Sequence, residues 1–151
     1  MSKEQSVDFS KIKTGGTFLT NVVGSEKVFC KELFSDEEKM IYEAMRDFAT
    51  NELLPLSQNE LNKKDEKLIR KLVEQMGELG FLGIDVPEKY GGSEMTKTGM
   101  CILAEGISFC GSPSFCTVWN VQTSIGSLGI IWYGNDEQKQ KWLPGICSGK
   151  K

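Results

Sequence analysis

From residue 35 onward, apolar side chains recur at helical spacing in one segment after another, and each segment is bounded by residues that start or stop a helix. Such a chain must bury one stripe per helix, which is done by packing helices on one another. The first segment is "SDEEKMIYEAMRDFATNELL". Ser35 is a natural N-cap with Glu38 in the capping-box position, and acidic residues crowd the first turn, where the helix dipole favours them. Ile41, Ala44, Met45, Phe48 and Ala49 make the apolar stripe, and Pro55 is expected to stop the helix. Asp47 and Glu52 fall on the charged outer side and are expected to be solvated. A second helix is predicted over residues 65–79, with Leu68, Ile69, Leu72, Val73, Met76 and Leu79 inward and Gly80 as the C-terminal stop.

A third helix is predicted over residues 97–109, with Met100, Leu103, Ala104 and Ile107 inward and Gly111 ending it. Ser112 and Pro113 then read as N-cap and first residue of a fourth helix, "PSFCTVWNVQTS". This helix is apolar nearly all round, so it is buried or lines something buried. "IGSLGIIWYG" continues as another short apolar helix, whose Gly126, Ser127 and Gly129 permit close approach. Asn135 and Gln138 form a second capping box ahead of "DEQKQKWLPGIC". Strand signals are scarce. The expected fold class is all-α, a helical bundle of about five or six helices over residues 34–151, preceded by an N-terminal arm over residues 1–33.

Composition narrows the function classes. The 151 residues suit one domain with a true core, at 39% apolar and 26% charged residues. A net charge of −3 gives no basic footprint for nucleic acid. No apolar run reaches the length of a membrane span, and the N-terminus lacks the pattern of a secretory signal. The five cysteines are odd in number and include no CxxC pair, which suggests reduced thiols in a cytoplasmic compartment, or the mitochondrial matrix in a eukaryote. The chain has no histidine. That removes His-based triads and His-containing metal sites, and the cysteines are too far apart in sequence for a zinc site of their own, so no metal ligands are expected.

Two glycine-rich stretches need a reading. "KTGGTFLTNVVGSEKVF" lacks both the Lys-Ser/Thr ending of a Walker loop and the third spaced glycine of a dinucleotide fingerprint. "GELGFLGIDVPEKYGGSEM", from Gly77 to Met95, is either a phosphate cradle or a packed connector between helices. No helix N-terminus follows Gly91-Gly92 directly, and Phe81, Leu82, Ile84 and Val86 are better explained by packing. The connector reading is preferred, with the glycines turning the chain where a side chain would clash.

The ordered set "DFATNELLP", "GELGFLGIDVPEKYGG", "SIGSLGI" and "YGNDEQKQKWLPGICSGK" resembles the N-terminal helical domain of acyl-CoA dehydrogenases, over most of residues 35–151. "GGTFL" is similar to the N-terminal extension of the very-long-chain-like branch. The resemblance implies a larger protein with a middle β-domain and a C-terminal helical domain. Such enzymes use FAD: a glutamate base removes a proton alpha to the thioester, and a hydride passes from the beta carbon to the flavin. It also implies a fatty acyl-CoA substrate, an electron-transfer flavoprotein or similar acceptor, and a homo-oligomer of two or four copies. The family's flavin-contacting segments and its base lie beyond "CSGKK". No catalytic and no cofactor-binding residue is therefore expected in this chain, which alone should be inactive and bind no FAD. What the resemblance places here is the end of the acyl-chain pocket, within residues 115–124, at Thr117, Val118, Val121 and Ser124. Those residues are otherwise simply core. The alternatives are a non-catalytic helical module for a lipid or protein, or a domain of an acyl-CoA oxidase or flavin monooxygenase.

Overall fold

The computed structural model describes residues 31, 34–56, 60, 61, 63 and 65–151. Apart from Lys31, the expected arm over residues 1–33, with its "GGTFL", lies outside the described residues. Residues 35–151 form one compact unit. Its elements are α1 (Asp36–Phe48), α2 (Glu66–Glu78), α3 (Lys97–Ile107), α4 (Pro113–Asn120), α5 (Leu128–Tyr133) and α6 (Asp136–Cys147). No strand occurs among the described residues.

The caps fall where the sequence places them. The Ser35 hydroxyl accepts from the Glu38 N–H at 3.1 Å, and the Glu38 carboxylate accepts from the Ser35 N–H at 2.9 Å. Asn135 and Gln138 make the same reciprocal pair at 2.8 and 2.9 Å. Asp65 caps α2, and the helix ends with Phe81 N–H on the Met76 carbonyl and Gly80 N–H on the Gly77 carbonyl, the paired bonds of a Schellman stop.

Two helix ends differ from expectation. Pro55 does not stop α1 directly. The α-helix gives way after Phe48 to a π turn, Ala49–Leu53, and then to a 3-10 turn, Leu54–Leu56, that contains Pro55. The Thr50 hydroxyl donates to the Arg46 carbonyl at 2.9 Å and thereby competes with the backbone ladder at that point. Likewise α3 is regular only to Ile107 and ends in a 3-10 turn, Ser108–Cys110. Leu79, expected inward, is 54% exposed because it stands at the C-cap, past the last regular turn.

One core unites α1 to α4 with the connector. Met45, Leu53, Met76, Phe81, Leu82, Leu103, Phe115 and Trp119 are its fully buried centre. A smaller cluster of Val86, Tyr90, Leu143, Ile146 and Cys147 ties the connector to α6. Gly106 on α3 faces α1. A Cβ there would stand 2.9 Å from Met45 Cγ and 3.4 Å from the Arg46 nitrogen, so the two helices approach as closely as a missing side chain allows.

The connector is a packed loop. Phe81, Leu82, Ile84 and Val86 are each no more than 2% exposed. Its backbone is paired within itself: Ser93 N–H bonds Gly83 O at 2.9 Å, Met95 N–H bonds Ile84 O at 2.9 Å and Glu94 N–H bonds Val86 O at 3.0 Å. That pairing is what lets a non-helical segment be buried. Gly91 has φ +89 with open space around it, whereas a Cβ on Gly92 would stand 2.0 Å from the Val86 carbonyl oxygen. Tyr90, buried in the same loop, donates its hydroxyl to Asp136 Oδ1 at 2.8 Å, at the start of α6.

Two outcomes follow from this geometry. Gly91→Ala should destabilise by about 1 kcal/mol, through backbone strain alone. Gly92→Ala should destabilise by roughly 3 kcal/mol or more, since the obstacle is backbone rather than a movable side chain. Denaturant midpoints of the two variants check the order. The Tyr90 hydroxyl, then Lys89, hold the Asp136 carboxyl below its ordinary value of 3.8. A depressed carboxyl stabilises the fold above the unfolded value and loses that contribution as pH falls through the folded one. Tyr90→Phe should therefore lower the melting temperature near neutrality, and the gap to the parent should shrink below pH about 4. Melting curves across the acid range read it directly.

Candidate functional site: the outer face of the fourth and fifth helices

α4 begins at a strong signal. Ser112 caps it through a bond from Phe115 N–H at 3.3 Å, and Pro113 fills the first position, where no donor is needed. Its inner side carries Phe115 and Trp119, each 1% exposed. The indole N–H of Trp119 donates to the Phe81 carbonyl at 3.0 Å, which binds α4 to the connector.

Beyond Asn120 the helix does not stay regular. Val121–Ile125 is a π turn, closed by Gly126 N–H on the Val121 carbonyl at 2.8 Å. The hydroxyls along this stretch all turn back on the helix. Thr117 donates to the Pro113 carbonyl at 2.9 Å, Thr123 to the Trp119 carbonyl at 2.9 Å and Ser127 to the Thr123 carbonyl at 2.7 Å. Ser124 donates to the Asn120 carbonyl in the same way. Such back-bonding loosens and bends a helix. It also satisfies each hydroxyl internally, so that the segment meets its surroundings mainly through carbon.

Of the two expectations for this helix, burial holds for one side only. Thr117 and Val121 are exposed, Val121 by 44%, while Val118 and Ser124 are partly buried. Ile125, on the same π turn, is 80% exposed. α5 goes further. Its sequence is LGIIWY, yet none of its residues is buried. Trp132 is 59% and Tyr133 86% exposed, and a Cβ on Gly129 would meet nothing within 4 Å. The close approach expected at Gly129 is thus not made within this unit. Val121, Ile125, Trp132, Tyr133 and Trp142 are five of the nine large apolar side chains exposed among the described residues, so uncovered apolar surface concentrates on 121–142. The sequence signal for Ile125, Trp132 and Tyr133 was the lack of any charged residue over 113–133.

The four candidate pocket residues do not line the groove beside α2. That groove, of about 490 Å³, is walled by Glu66, Ile69, Arg70, Val73, Gln122, Gly149 and Lys151. Gln122 crosses it, donating to the Ile146 carbonyl at 3.4 Å and the Lys151 carbonyl at 2.6 Å. Behind the N-terminus of α4, the thiols of Cys110 and Cys116 lie 3.6 Å apart. Burial, helped by the neighbouring Cys110, pushes the Cys116 thiol up to about 11. Among the described residues no three His, Cys, Asp or Glu side chains are placed to hold a metal ion, and no helix is long and apolar enough to cross a membrane.

The family model described as "Acyl-CoA dehydrogenase, N-terminal domain" matches residues 35–150. A Bacillus subtilis protein named "Probable acyl-CoA dehydrogenase" is 39% identical over 140 residues, which is 93% of this chain and 23% of that protein. A second Bacillus subtilis protein, named "Acyl-CoA dehydrogenase", is 34% identical over 115 residues, 76% of this chain and 30% of its own length. The crystal structure of an acyl-CoA dehydrogenase complexed with FAD from Bacillus anthracis superposes with a TM-score of 0.79 at 39% identity, covering 93% of this chain and 24% of that one. The chain thus spans under a third of the length of these relatives. With the helix order, the packed connector and the family match all in agreement, this chain belongs to the acyl-CoA dehydrogenase family and corresponds to its N-terminal domain.

Proposed function

We propose that this chain is the N-terminal helical domain of an FAD-dependent acyl-CoA dehydrogenase that oxidises fatty acyl-CoA to trans-2-enoyl-CoA, and that residues 117–125 wall the far end of its acyl-chain pocket. The observation that carries the reading is the outer face of α4 and its π turn. There the hydroxyls of Thr117 and Ser124 are bonded inward and Val121 and Ile125 face out. A surface of that kind suits an aliphatic chain: at Val121 and Ile125 it offers carbon contact, and the Thr117 and Ser124 hydroxyls are already paired.

In this reading the chain's own residues shape the substrate side of the site rather than the flavin side. FAD, which the Bacillus anthracis structure holds, would be bound chiefly by the remainder of the complete protein. α5, with no buried residue, supports the same division of labour: its apolar side chains await cover from further domains or from another copy in a homo-oligomer. The electron acceptor in this reading is an electron-transfer flavoprotein or a protein of that kind.

Val121→Trp in the complete protein tests the pocket. Long acyl chains should lose binding while short ones keep theirs, by about 0.8 kcal/mol, or fourfold, for each methylene excluded. Equal losses on a short and a long acyl-CoA, with a fall in melting temperature, would show Val121 to be packing only. The isolated 151-residue chain should bind an apolar dye and self-associate at high concentration, because Val121, Ile125, Trp132 and Tyr133 are exposed among the described residues. A clean monomer in sedimentation with no dye binding contradicts the proposed interface.

A further inference from the structure

The thiols of Cys110 and Cys116 are not used by the proposed function, and their placement is specific. Cys110 closes the 3-10 turn after α3 and Cys116 lies in the first turn of α4. Their sulfurs are 3.6 Å apart. Each is held from a separate direction. Ser112 N–H points at Cys110 Sγ at 3.4 Å, and the Cys116 thiol faces the Ile107 carbonyl at 3.7 Å. The turn between them is fixed by the Ser112 cap and the Pro113 ring, so the facing of the two sulfurs is set by the same residues that start α4. A disulfide needs the sulfurs at about 2.05 Å, an approach of about 1.5 Å. Cys110 is buried, at 2% exposure, whereas Cys116 is partly open.

We infer that Cys110 and Cys116 form a redox-active dithiol whose intramolecular disulfide straps the end of α3 to the start of α4. The oxidant is a low-molecular-weight disulfide. The Cys116 thiol gives its proton to solvent, and the sulfur attacks one sulfur of the reagent. The reagent's S–S bond breaks, one thiolate leaves, and a mixed disulfide remains on Cys116. Cys110, losing its proton in turn, attacks Cys116 Sγ and expels the second thiolate. Two protein thiols are oxidised to one disulfide, and one reagent disulfide is reduced to two thiols. The order of attack follows from access, since Cys116 is partly open and Cys110 is buried, and the raised Cys116 thiol makes the first step slow except in alkaline solution. The strap fastens the root of the helix that carries Thr117 and Val121, but its formation does not depend on what that helix binds.

The test uses the 151-residue chain with the exposed Cys101 changed to Ser, treated with oxidised glutathione at mildly alkaline pH. Tryptic cleavage leaves Cys110 and Cys116 together in residues 98–139, apart from Cys30 and Cys147. Without reduction, this peptide should be about 2 Da lighter than the dithiol and should regain that mass on treatment with a reducing agent. The oxidised chain should melt no lower than the reduced one, and by about 5 °C higher if the strap fits the native turn. A stable glutathione adduct on Cys116 that never resolves would overturn the inference. So would an unreacted dithiol under conditions that fully modify Cys101 in the parent chain, or an oxidised form that melts below the reduced one.

Discussion

The indole N–H of Trp119 on the carbonyl of Phe81 is the bond that ties α4 to the buried connector. The connector between α2 and α3 has no helical turn beyond a single 3-10 turn, Glu88–Tyr90. It is buried only because its backbone groups are paired, and Phe81 O takes its side-chain partner from α4. The same indole fills the core between Phe81, Phe115 and their neighbours. Removing the donor would leave a buried carbonyl unpaired, a loss of about 1–3 kcal/mol before any packing is disturbed. Because one side of α4 is committed to this contact, the other side is presented outward.

That division explains the character of α4 and its continuation. The inner side is conventional core. The outer side is uncharged without being buried, and the Thr117 and Ser124 hydroxyls are spent on the helix's own carbonyls. The π turn at Val121–Ile125 accompanies this back-bonding. π turns are frequent at functional sites because they re-aim side chains relative to a regular helix. Here the turn sets Val121 and Ile125 on the open side while Thr123 stays buried.

Much of this was legible in the sequence, and for identifiable reasons. Caps are local, so Ser35-Glu38, Ser112-Pro113 and Asn135-Gln138 could be read residue by residue, and all three start helices. The connector was legible because Phe81, Leu82, Ile84 and Val86 are too apolar for a solvated loop. Helix ends were less so. The π turn after Phe48 and the 3-10 turn after Ile107 depend on competition between side-chain and backbone bonds, which periodicity does not report. Gly106 was missed because its role is contact with Met45, more than fifty positions away. The site was read only in part: an all-apolar helix looks the same in sequence whether its cover comes from its own domain or from elsewhere, and α5 shows that here it does not come from residues 35–151.

The central claim is that the outer face of residues 117–125 meets the end of the acyl chain in the complete protein. A long-chain acyl-CoA with a photoreactive diazirine at the far end of its chain addresses that contact directly. After irradiation, digestion and mass spectrometry, label is predicted on the peptide that carries Thr117, Val121 and Ile125, and an excess of unmodified long-chain acyl-CoA should abolish it. Competable labelling confined to other segments, with none on residues 117–125, would contradict the account.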